Sequence, residues 1–156
     1  MNIFATSECP FESASYLDNK RVVKMILESA QLLSTALRHH GSDAPYKATH
    51  VHHPCTKWVC QSRSNYMWLL QHFSALCGEY TKRYGKVHKS QQYANDFRLL
   101  AGTIPDIGPT PFANCAAHAG LGISYKHMSD VHLAYKLYLN DRWNTDKREP
   151  TWEIVV

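Results

Sequence analysis

No long apolar run is present in this chain. No stretch approaches the roughly 20 apolar residues that a membrane-spanning helix needs, and residues 1–16 lack a basic segment followed by an apolar one, so neither a bilayer span nor an export signal is expected. The five cysteines, Cys9, Cys55, Cys60, Cys77 and Cys115, are odd in number and scattered, with no CxxC pair. That pattern argues against a disulfide framework and predicts reduced thiols in a cytoplasm. There are no repeats, low-complexity tracts or linkers. Walker loops, GxGxxG, HExxH and nucleophile elbows are all missing, and no cofactor is expected. A strong charge imbalance is missing too: 17 Lys and Arg against 13 Asp and Glu give +4. An excess this mild permits an anionic partner such as nucleic acid without demanding one.

What is present is helical periodicity. With 156 residues, 44% of them hydrophobic, the chain has enough material for one domain with a core. Val22, Met25, Ile26, Ala30, Leu33 and Leu37 recur at three- and four-residue steps and predict a helix over residues 19–37, capped by Asp18 or Asn19 and stopped by Gly41. Its opposite face carries Lys20, Lys24, Glu28 and Gln31 as one polar stripe. A longer helix is predicted from Pro54 to the Gly85 stop, a short one after Ser90, and another after Ser129 or Asp130. Residues 101–128 hold Pro105, Pro109, Pro111 and four glycines. They read as a long loop, functional or pinned over the core by Phe112 and Tyr125. The expected fold is all-α: a compact single-domain bundle of about four helices with a long irregular loop before the last helix.

Two groups of side chains are candidates for chemistry. Glu28 lies one turn from Lys24 and two from Lys20. On spacing alone it reads equally as a solvated i, i+4 pair or as a carboxylate held among amines, able to shuttle a proton or stabilise a cationic sugar. Lys47, His50, His52, His53, Cys55 and Lys57 are dense in nitrogen and sulfur. Their spacing matches no recognised zinc pattern, so no metal is expected, and they read as a rim that contacts phosphate or substrate.

Three patches carry a family resemblance. Residues 17–28, LDNKRVVKMILE, residues 76–85, LCGEYTKRYG, and residues 148–152, REPTW, resemble in common order the phage pyrimidine-dimer DNA glycosylases, the small all-helical endonuclease V type enzymes. The sequence also looks like a set of phage proteins that begin MNIF and carry KMILE and HPC-x-x-W. The resemblance implies one endonuclease V-like helical domain over residues 1–156, DNA as partner, and base flipping. It puts Glu28 at the catalytic glutamate, with Asn19 and Arg21 at the family's acidic and histidine positions. In that family an α-amine attacks the sugar C1′, the base leaves, and an imine intermediate undergoes strand-cleaving elimination. An α-amine suits this step because amines of that class titrate near neutrality.

The departures from the pattern keep several readings open. Asn2 is too large for the usual removal of Met1, so the nucleophile is the Met1 amine, or Lys20 or Lys24 has replaced it, or the lyase step is lost. Leu27 and Gln31 stand where the family has phosphate-binding arginines. The expected catalytic residues are therefore Glu28, Met1 and Lys24. Asn2, Asn19, Lys20, Arg21, Gln31, Lys47, His50, His53 and Lys57 are the expected contacts to substrate or DNA. A DNA glycosylase, with or without abasic-site lyase activity, is the leading reading. The alternatives are an enzyme that modifies a DNA base or nucleotide, and a non-enzymatic DNA- or protein-binding module.

Overall fold

The computed structural model describes residues 1–155. Six helices carry the fold: α1 Pro10–Tyr16, α2 Asn19–His39, α3 Pro54–Gln61, α4 Arg63–Tyr84, α5 Ala94–Leu100 and α6 Val131–Thr145. The one sheet among the described residues pairs β1 Ala117–His118 with β2 Ile123–Ser124, antiparallel. The class is thus helical as expected, but about four helices was too few. No helix of the described residues is long and apolar enough to cross a membrane.

The stripe predicted on α2 is buried throughout and packs against α3 and α4. Asp18 caps the helix by accepting from the Arg21 amide at 3.4 Å. Burying each large apolar side chain of this stripe stabilises the fold by about 1.5–3 kcal/mol. α1 packs on α4. Its seven residues bury mainly Pro10, Ser13 and Ala14, small side chains that leave no apolar period to read in the sequence.

The predicted helix from Pro54 to Gly85 is broken at Ser62, whose backbone is extended at φ −157°. The break has a long-range cause. The Ser62 hydroxyl donates to Asp106 at 2.8 Å and accepts from the Ser64 amide at 3.3 Å. The Arg63 amide donates to the Pro105 carbonyl at 3.0 Å, a bond that an unbroken helix would direct to residue 59. Hydrogen bonds from Ser64, Ser62 and the Gly108 amide hold the Asp106 carboxyl well below the usual range. The 101–128 loop is therefore stitched to the α3–α4 junction. Phe112 stacks on Trp58 at 4.9 Å, and Tyr125 donates to Asp141 at 2.5 Å.

Candidate active site

The N-terminal segment is built into the core. Ile3, Phe4, Ala5 and Thr6 are buried, and Phe4 adopts φ +57°, a left-handed conformation that costs a bulky residue of order 1–3 kcal/mol. Its ring packs between Tyr135 and Tyr138, at 6.0 and 5.9 Å. Its carbonyl accepts from the Thr6 amide at 2.9 Å and from the Ser13 hydroxyl at 3.0 Å.

Asn2 fixes the other side of this turn. Its Oδ1 accepts from the Ile3 amide at 2.8 Å and from the Tyr135 hydroxyl at 2.8 Å. Its Nδ2 donates to the Cys115 carbonyl at 3.2 Å. Asn2 is thus an internal clamp that ties the chain's first residues to α6 and the long loop.

The clamp delivers Met1 to the middle of α2. The Met1 nitrogen lies 3.6 Å from Glu28 Oε1, with the Met1 side chain 2% exposed and the Glu28 side chain 15% exposed. Met1 as a whole is only half-buried, so its open surface is on the backbone that bears the amine. Lys24 Nζ lies 4.0 Å from the other carboxylate oxygen, on a side chain 71% exposed. Among the described residues no other cation pairs with Glu28.

His53 caps α3, its Nδ1 accepting from the Cys55 amide at 3.1 Å. Burial pushes its pKa down, and the Met1 ammonium, His50 and Lys126 add to the effect. Beneath it Cys55 and Cys115 are buried, the Cys55 thiol donating to Asn2 Oδ1 at 3.8 Å, and the mutual interaction of the two thiols raises the pKa of Cys55 and lowers that of Cys115. The result is an α-amine and a carboxylate at the surface, with imidazoles and a lysine around them and two thiols below.

A family model of the pyrimidine dimer DNA glycosylases matches residues 1–92. The chain belongs to this family. No curated protein and no solved structure matches it. Membership supports a DNA glycosylase role with DNA as substrate. The matched segment contains Met1, Asn2, Glu28, His53 and α1 to α4, and leaves Cys115, Lys126 and α6 outside it.

Within this member of the family the remaining candidates fall into two sets. Asn19 and Arg21 are buried and turned inward. Asn19 Nδ2 donates to Thr151 Oγ1 at 3.0 Å, and its Oδ1 accepts from Arg83 at 3.1 Å. Arg21 pairs with Asp18 at 3.1 Å and Asp146 at 2.9 Å. Lys20, Lys47, His50 and Lys57 are exposed and Gln31 is half-buried, with no side-chain hydrogen bond to another described residue. Sequence reasoning missed Cys115, Lys126 and Tyr135. They lie 114 to 134 positions beyond Met1, and only the suspicion that the 101–128 loop is functional pointed toward the first two.

Proposed function

We propose that this DNA glycosylase removes a damaged or modified base by attack of the Met1 α-amine on the sugar C1′, and that it retains the abasic-site lyase step. As the nitrogen–C1′ bond forms, the glycosidic C1′–N bond breaks and the departing base takes up a proton. The amine gives up its own proton to Glu28, and opening of the sugar yields the imine. Abstraction of a C2′ proton then expels the 3′-phosphate and cleaves the strand. Glu28 can hold the moved proton because it lies within one water's reach of the amine. Lys24, 4.0 Å from Glu28, and Lys126, close enough to lower the His53 pKa, supply cationic charge on this side of the molecule for the DNA backbone. The whole chain acts as one domain, a reading supported by Thr151 and Trp152, which bond back to Asn19 and to the Tyr16 carbonyl.

The observation that carries this reading is the 3.6 Å Met1–Glu28 pair, held by a buried side chain with its backbone open. Borohydride trapping on abasic and damaged duplexes, followed by peptide mapping, tests it. The adduct is expected on the peptide that begins at Met1; an adduct on Lys24 moves the nucleophile. The glycosylase reading fails if no adduct forms and Glu28→Gln leaves base release unchanged.

One observation favours a second reading, an enzyme that modifies a base or nucleotide on this scaffold. Leu27, 40% exposed, stands at a position of the family's phosphate-binding arginines. Nucleoside mass spectrometry of DNA from cells with and without the gene distinguishes it; an unchanged profile counts against it.

A further inference from the structure

We propose that His53, Cys55 and Cys115 form a zinc site beneath the N-terminal amine. One ring nitrogen and two sulfurs lie within 4.8 Å of one another. The set escapes the sequence because its third member arrives from the long loop, 60 positions after Cys55. Zinc–thiolate and zinc–imidazole bonds of about 2.3 and 2.0 Å place neighbouring ligand atoms roughly 3.3–3.8 Å apart. The cluster therefore has to tighten by about an ångström, within reach of side-chain rotation alone.

The backbones that carry these ligands are already fixed. Cys55 sits in the first turn of α3. The Cys115 amide donates to the Tyr135 hydroxyl at 3.0 Å, and its carbonyl accepts from Asn2 at 3.2 Å. Cys55 is 1% exposed and Cys115 8%, so a bound ion would be shielded from competing water. Two thiols and one neutral imidazole would take up Zn²⁺ with release of two protons, leaving a complex with no net charge, as burial requires. Soft sulfur ligands select zinc over magnesium or calcium.

His53 has to change its bonding. Its Nδ1 lone pair now accepts from the Cys55 amide, which leaves the ring proton on Nε2. Coordination either takes Nδ1 from that cap or shifts the proton so that Nε2 is free, and one capping bond is small against a metal–ligand bond. Three protein ligands leave a fourth position open. Asn2 Oδ1, 3.8 Å from Cys55 Sγ, borders it.

The site does not depend on the glycosylase reading, and binding is measured without activity. Reduced, metal-stripped full-length protein is titrated with Co²⁺ as a spectroscopic probe, then with Zn²⁺ against a chromophoric chelator. One equivalent of Co²⁺ is expected to give a thiolate-to-metal charge-transfer band that Zn²⁺ abolishes. Cys55→Ser and Cys115→Ser are each expected to weaken Zn²⁺ binding by more than the roughly 10–100-fold typical of outer-shell losses, while Cys60→Ser leaves it unchanged. Circular dichroism checks that each variant is helical. No charge-transfer band in the wild-type protein overturns the proposal, and so does full Zn²⁺ affinity in the folded Cys55→Ser/Cys115→Ser variant.

Discussion

The start of α2 and its middle are built in opposite ways. At the start, Asn19 and Arg21 are saturated: Arg83 and Thr151 meet on Asn19, while Asp18 and Asp146 enclose Arg21. These contacts come from all three family-like patches or their immediate flanks, so the patches converge in space as one structural joint. About 13 Å further along the helix, Glu28 is left with two amines at 3.6 and 4.0 Å. Both places hold charges among opposite charges. Asn19 and Arg21 have their bonding capacity taken up inside the chain, whereas the Met1–Glu28 pair keeps some for something outside it.

The contrast is sharpest in a pair of substitutions. Glu28→Gln keeps the shape and removes the proton acceptor, so base release is expected to fall by about 10²–10⁴-fold, with little change in urea midpoint. Arg21→Met strands two carboxylates in a buried place. It is expected to cost about 3–5 kcal/mol of stability in urea unfolding, while activity per folded molecule stays near wild type. If Arg21→Met instead left stability intact and abolished activity, the start of α2 would belong to the site and the distinction would collapse.

His72 tests burial with incomplete bonding. It is fully buried, its Nδ1 bonds to the Pro10 carbonyl at 3.1 Å, and its Nε2 has no partner among the described residues. Burial pushes its pKa down from 6.5 to about 4. Because the unfolded chain takes the proton first, stability is complete above pH 6.5 and declines as pH falls toward 4, by about 3 kcal/mol. Urea unfolding across that range should show this slope in the wild type and lose it in His72→Gln; equal slopes would mean that the folded protein accommodates the charged ring.

The same contrast explains what could be read from sequence. The helix α2, its cap and its apolar stripe depend on neighbours within a few turns, and they stand where the periodicity of Val22 to Leu37 places them. The break at Ser62 does not, because Asp106 and Pro105 make it from 43 or 44 positions away. Glu28 is conspicuous only through the family pattern, since helical spacing gives an ordinary Lys–Glu pair the same appearance. The approach of Met1 depends on a left-handed Phe4, the Asn2 clamp and Tyr135. No local signal encodes that combination, and Asn2 read from sequence as a substrate contact is placed among internal bonds.

Tyr135 offers the finest division between holding the fold and placing the amine. Its hydroxyl donates to Asn2 Oδ1 at 2.8 Å and accepts from the Cys115 amide at 3.0 Å, so Tyr135→Phe leaves one buried donor unpaired and one acceptor bond unmade. A cost of about 1–2 kcal/mol to stability follows. The Asn2 turn also fixes where the Met1 nitrogen stands, and a small misplacement of a reacting atom lowers the rate of the chemical step more than it weakens DNA binding. The kcat of Tyr135→Phe is therefore expected to fall about 10-fold with KM nearly unchanged. A purely structural hydroxyl would lower the urea midpoint and leave kcat per folded molecule alone, and that outcome would separate the clamp from the chemistry.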